Sequence, residues 1–143
     1  MRRNGMYVAA VAAAALLVSF AVAGRARAAT AEEDARKAAE AWLKLVDDAQ
    51  YGKAWDEAAA FLKGAAKKAD FEAAVAKVRT ALGKVKSRTF KSSTPTKTLP
   101  GAPAGDYVVI QFDLVAEKGA AVETITPMKE KDGSWRVSGY FVK

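Results

Sequence analysis

Apolar residues in this chain fall into three patterns, and each predicts a different kind of element. The first is an uncharged run from Met6 to Ala23. The second is a series of stripes at helical spacing. Ala35, Ala38, Ala39, Trp42, Leu43 and Val46 predict a helix that begins near Thr30 and ends near Asp47 or Asp48. Thr30 and Glu33 have the spacing of a capping box, in which a hydroxyl and a carboxylate satisfy free amides at a helix start. Glu32, Glu33 and Asp34 suit the positive end of the same helix. Tyr51, Trp55, Ala58, Phe61 and Leu62 predict a second helix over about 51–63, with Gly64 as its stop. Asp70 predicts the cap of a third, whose Phe71, Val75, Val78 and Leu82 keep helical spacing until Gly83.

The third pattern is alternation. Residues 85–98 alternate loosely and are rich in Ser, Thr and Lys, as in an exposed strand. The segment Leu99-Pro-Gly-Ala-Pro-Ala-Gly105 is a turn by composition. Tyr107 to Val115 is the clearest strand. Val108, Ile110, Phe112 and Leu114 share one of its faces, and Gln111 and Asp113 lie on the other. A third strand is predicted over about 122–129, and Asp132-Gly133 is a two-residue hairpin signal. The last strand runs from Trp135 to Val142, where alternation groups Trp135, Val137 and Phe141 and sends Tyr140 the other way. Short amphipathic helices do not stand alone in water. The expected fold is therefore α+β: an N-terminal signal helix, then three helices packed on a four-stranded antiparallel meander, residues 29–143 forming one domain.

The uncharged run acquires a meaning from its flanks. Arg2 and Arg3 precede it, and Ala26 and Ala28 offer small side chains after it. A positive start, an apolar stretch and a small-x-small end are the parts of a secretory signal peptide. Cleavage is expected after Ala28, placing the domain in the periplasm or outside the cell. The alternative is an uncleaved helix that anchors the chain in the inner membrane, which is then its one membrane contact. The run of 18 residues is at the lower edge of a spanning helix and rich in alanine. Arg25 and Arg27 fit neither version well, because they place positive charge on the side to be translocated.

Removal of residues 1–28 also changes the charge. Four arginines leave and no acid does, so Lys+Arg falls from 23 to 19 against 16 acids, a net charge of +3. A chain so balanced, and exported, is not expected to bind nucleic acid. There is no cysteine and no histidine. Their absence excludes thiol redox centres, Ser-His-Asp and Cys-His sites and most zinc, copper and haem ligation. No cofactor and no metal are expected. Only carboxylate, tyrosine, lysine or serine chemistry is left.

Several segments together resemble a known family. They are Ala41-Trp-Leu-Lys-Leu-Val-Asp47, Tyr51-Gly-Lys-Ala-Trp55, Leu99 through Asp113, Ala121-Val-Glu-Thr-Ile-Thr126 and Trp135-Arg-Val-Ser-Gly-Tyr-Phe-Val142. The combination is similar to domain-of-unknown-function family 4019, small exported bacterial proteins, across roughly Ala35 to Lys143. The element order also resembles the cone-shaped fold of nuclear transport factor two and its cystatin-like relatives. In that fold, helices occupy the concavity of a curved sheet. The resemblance implies no established activity and no catalytic residues. Proteins of the fold include isomerases, dehydratases and non-catalytic binding domains, and fold alone does not choose among them.

If the sheet forms such a cone, Gln111, Asp113, Glu123 and Tyr140 are the polar residues expected on its faces and the candidates for ligand binding. A buried carboxylate there acts as a general base and Tyr140 as an electrophilic donor. The simpler account leaves Asp113 and Glu123 facing solvent on a sheet covered on one side only. Trp42, Tyr51 and Trp55 read as core anchors. Lys84, Lys86 and Arg88 read as charges that protect an exposed strand edge. The leading functional expectation is a non-enzymatic periplasmic domain that binds a protein partner or a small ligand. Alternatives are a carboxylate-and-tyrosine enzyme of the cone fold, and a structural envelope accessory, including a homodimer formed through the sheet.

Overall fold

A computed structural model describes residues 15–143. The charged start and the first part of the apolar run, on which the signal expectation rests, lie outside the described residues. The chain divides into two compact units, Met1–Ala31 and Glu32–Lys143. The order of elements is α1 (Ala15–Asp47), α2 (Tyr51–Asp56), α3 (Ala60–Ala65), α4 (Lys68–Leu82), then β1 (Val85–Thr96), β2 (Tyr107–Ala116), β3 (Gly119–Lys129) and β4 (Trp135–Val142). The strands form one antiparallel sheet in the order β1-β2-β3-β4. The α+β class and the four-stranded meander are as expected. Among the described residues no helix is long and apolar enough to cross a membrane.

The helices differ from expectation in where they begin and break. Helix α1 is already formed at Ala15, and Thr30 is an interior residue whose hydroxyl donates to the Arg27 carbonyl at 2.8 Å. The capping box is therefore not used as one. Its surroundings contain no proline and abundant alanine, the best helix former. The second predicted helix is two helices, α2 and α3, and it passes Gly64 without stopping. The break is at Ala59, which is extended (φ −60°, ψ 148°) and donates its N–H to the Val137 carbonyl of β4 at 2.8 Å. Glu130 of the β3–β4 connection then accepts from the Ala60 N–H at 3.0 Å. Two tertiary bonds thus outbid local helix continuity. Helix α4 starts at Lys68, so Asp70 sits in its first turn instead of at its cap. It stops at Gly83, where φ is 73° and a Cβ would come within 3.1 Å of the Glu117 Cβ.

One sheet face carries the core. Register pairs place Ile110 with Ile125 and Phe112 with Glu123 on this face. Against Val108, Ile110, Phe112, Ile125 and Val137 pack Ala35, Ala39, Trp42, Leu43 and Val46 of α1, with Leu62, Phe71 and Val75 of the later helices. Trp42 also ties α1 to α2, its Nε1–H donating to the Ala54 carbonyl at 2.8 Å. Trp55 likewise donates to the Ala66 carbonyl at 3.0 Å. The tryptophans are core anchors, as their spacing suggested.

Three irregularities in the ladders reassign side chains to faces. The register shifts between Val85 and Ser87, between Phe90 and Ser92, and on β3 between Thr126 and Pro127 opposite Val137 to Gly139. Such an extra residue reverses the facing of everything beyond it. Ser138 is the extra residue in β4, its hydroxyl donating to the Thr126 carbonyl at 2.7 Å. Beyond it Tyr140 pairs with core-facing Ile125, whereas Phe141 pairs with Thr124 and is 50% exposed. The expectation for both residues is thereby inverted. The connection after β3 is longer than the two-residue hairpin expected, spanning 130–134, with Asp132 accepting from the Ser134 N–H at 2.9 Å.

The bulge at Ser138 predicts opposite costs for adjacent residues. Tyr140→Ala is expected to lose about 3–5 kcal/mol, as large aromatic truncations in a core do. Phe141→Thr is expected to stay within about 1 kcal/mol, as an exposed strand substitution does. Urea denaturation of the two variants checks this, and the reverse order would return Phe141 to the core.

Candidate functional site

The most unusual residue of the core face is Glu123, a carboxylate at 0% exposure in the middle of β3. An isolated charge there is prohibitively costly, so it must be paired and hydrogen-bonded. Three elements deliver the partners. Arg88 of β1 donates from Nε to Glu123 Oε1 at 2.6 Å and from Nη2 to Oε2 at 3.4 Å. Tyr140 of β4 donates its hydroxyl to Oε2 at 2.8 Å. Arg79 of α4 approaches Oε2 at 3.5 Å and the Tyr140 oxygen at 3.4 Å, both through Nη1.

A second carboxylate closes the cluster. Asp47, the last residue of α1, takes Nη2 of Arg79 on Oδ1 at 2.5 Å, and Nη2 and Nη1 of Arg88 on Oδ1 and Oδ2 at 2.9 and 2.8 Å. Two guanidiniums thus face two carboxylates, and the group is neutral as a whole. Among the described residues no buried side-chain polar atom is left without a partner. Such a closed set is worth more than its pairs taken singly.

The cluster shifts its members' acidities. Burial alone would raise Asp47, but the hydrogen bonds and charges of Arg88 and then Arg79 outweigh it and hold the carboxyl below its ordinary 3.8. Burial, then the adjacent Glu123 carboxylate, pushes Tyr140 well above the usual phenol value. Burial opposes the charge on Arg88, yet Asp47 and Glu123 raise it further. Tyr140 is a neutral donor in this setting.

The four sequence candidates do not form one site. Glu123 and Tyr140 are in direct contact inside the core. Gln111 and Asp113 lie on the opposite sheet face, Gln111 between Ser92 and Thr124 and Asp113 exposed beside Lys91 at 3.3 Å. The solvent-facing account holds for Asp113 and fails for Glu123, because pairing with Phe112 fixes Glu123 on the helix-covered face. Arg88 is no edge charge either. The irregularity at Lys86 turns it to pair with buried Leu114 and point inward. Asp47 and Arg79 were not among the candidates. Arg79 did leave a signal, since it continues the buried i, i+4 row of Phe71 and Val75, where an apolar residue is the rule.

Among the described residues, two clefts lie near these side chains. One, of about 540 Å³, lies beside the cluster, with Asp47 and Arg79 in its wall next to Val46, Tyr51, Lys84 and Val85. The other, of about 410 Å³, has Trp42 and Trp135 in its lining with Glu57 and Arg136. Neither is lined by Glu123 or Tyr140. Among the described residues no set of three or more Asp or Glu side chains is grouped to hold a metal ion.

Removal of one cluster member strands the others. Glu123→Ala is expected to cost about 3–5 kcal/mol by leaving Arg88 and Arg79 facing an apolar gap. Tyr140→Phe, which deletes one bond to the carboxylate, is expected to cost about 1–3 kcal/mol. Urea midpoints of both variants check the order. A pH series tests Asp47. A carboxyl with a depressed folded value adds stability that is complete above its unfolded value and is lost as pH falls through the folded one. Below about pH 4 the wild type should therefore lose stability more steeply than Asp47→Asn, whose slope should be shallower in urea series down to about pH 2.

All five cluster residues fall within the span matched by a protein-family model. No curated protein matches the sequence. The model described as protein of unknown function, DUF4019, matches residues 38–140, more than half of the chain, and the chain belongs to that family.

Proposed function

We propose that this is an exported, non-enzymatic domain of the periplasm that binds a small ligand. One observation carries the reading. Glu123 and Tyr140, the two candidates that meet on the helix-covered face, are taken up by ion pairing and hydrogen bonding, and neither lines the clefts of about 410 and 540 Å³. A general base needs a free lone pair within hydrogen-bond reach of a substrate proton. Both Glu123 oxygens already accept from Arg88, Arg79 or Tyr140. Trp42 packs edge-on against Phe71 and Tyr140, with ring centroids 6.1 and 5.3 Å apart.

Helices on one face of an antiparallel meander are compatible with kinship to the nuclear-transport-factor-two cone, which hosts many binding domains. Export is supported by Arg2 and Arg3, the uncharged run and the small residues Ala26 and Ala28. Clefts of 300–1,000 Å³ are the usual size for small-molecule sites, and both openings fall in that range.

Native mass spectrometry of the chain from a periplasmic extract tests the proposal. The expected result is a mature start at Ala29 and one small molecule per chain. A chain that keeps Met1, with no bound species, would overturn it. So would a turnover that Glu123→Gln abolishes while the fold is kept, which would restore the enzyme reading.

A further inference from the structure

We propose that the cleft beside Asp47 takes a small monocarboxylate, which seats on the Arg79–Arg88 pair in place of the Asp47 side chain. This rests on the ligand-binding reading and names its chemistry. Asp47 is held as a carboxylate ligand is held. Oδ1 receives Nη2 of Arg79 and Nη2 of Arg88, and Oδ2 receives Nη1 of Arg88, at 2.5, 2.9 and 2.8 Å. Paired guanidinium forks are the usual protein device for recognising carboxylates.

The cluster members differ in access. Glu123 has none, Arg79 is 8% exposed, and the Asp47 side chain is 31% exposed. Asp47 and Arg79 together wall the larger cleft. Asp47 is thus the one member that a ligand entering from the cleft meets first and can replace without disturbing Glu123.

Local forces also favour its release. Asp47 and Asp48 stand at the C-terminal end of α1, where the helix dipole repels negative charge. The chain then leaves through Ala49 at φ 58°, a left-handed conformation that costs a non-glycine residue energy. That conformation is fixed by backbone bonds, Ala49 N–H to the Val46 carbonyl at 3.1 Å and Gln50 N–H to the Leu45 carbonyl at 2.8 Å, so the arginines hold Asp47 against the dipole alone. A ligand carboxylate in the same place keeps the arginines neutralised while the Asp47 side chain moves into solvent.

Charge sets the ligand class. Two guanidiniums against Glu123 alone leave one positive charge, which a single carboxylate balances and a dianion exceeds. Asp48 also lines the cleft but is paired with Lys44 at 3.1 Å, so Lys84 is left to attract an anion, and Val46, Tyr51 and Val85 offer apolar surface to its body.

Acetate and benzoate, with sodium chloride at matched ionic strength as control, test the proposal through the melting temperature of the full mature chain. Asp47→Ala should show a saturable rise with benzoate that chloride does not give. The wild type, in which Asp47 competes, should require at least about tenfold more. Adding Arg79→Lys to Asp47→Ala should abolish the rise. If Asp47→Ala folds only when a carboxylate is supplied, that rescue supports the proposal, and Asp47→Asn gives the titration. Stabilisation no greater than with chloride in both Asp47 variants would overturn it, as would equal affinity in the wild type or a rise that survives Arg79→Lys. A native ligand without a carboxylate would sink this inference and leave the ligand-binding reading standing.

Discussion

Burying the Glu123 carboxylate beneath the helices constrains nearly every other feature of the domain. A carboxylate taken from water loses several kcal/mol of solvation even after relaxation, and only close, well-directed partners return it. One arginine meets Glu123 along the sheet, one from α4, and a phenol closes the remaining lone pair. Those two arginines would themselves be overcharged beside a single acid. Asp47 restores the balance from the last turn of α1. The inward facing of Arg88 and the hydroxyl of Tyr140 both serve that one buried charge.

The five residues come from five elements, separated by as many as 93 positions along the chain (Asp47 to Tyr140). They meet because two ladder irregularities act as switches. At Lys86 the extra residue turns Arg88 from the solvent edge to the interior, and at Ser138 it turns Tyr140 toward Glu123. A strict period of two would leave Glu123 with neither. Bulges are known for re-aiming single side chains, and here they supply two of the three partners of the buried acid. The apolar core tolerates the polar insert because, among the described residues, no buried side-chain polar atom is left without a partner.

This explains which parts of the structure the sequence exposed. Elements whose signal is local were legible: the α1 stripe from Ala35 to Val46, the alternation of Val108 to Leu114 and the stop at Gly83 all reappear. Features decided by distant partners were not. Nothing near Ala59 announces that its N–H will be taken by Val137, and nothing near Ala60 announces Glu130. The facing of Arg88 and Tyr140 is lost for the same reason, since a bulge is a property of two strands together. The candidate list captured Glu123 and Tyr140 by residue type. It missed Asp47 and Arg79 because a charge on a helix is ordinarily solvated. Arg79 in the Phe71–Val75 row was the clue, since a charge in an apolar row implies a buried counter-charge.

The cluster also divides the domain's polar chemistry into an inner and an outer half. Glu123 is fully buried and Tyr140 and Arg88 partly so, and their energetic role is to make the helix–sheet packing depend on one geometry. Asp47 and the cleft-facing side of Arg79 belong to the outer half, in the wall of the cleft. The two halves share the same guanidiniums. Whatever neutralises Arg79 and Arg88 from the cleft is therefore coupled to the stability of the core carboxylate behind them. That linkage is a physical route by which a surface event reaches the centre of so small a sheet.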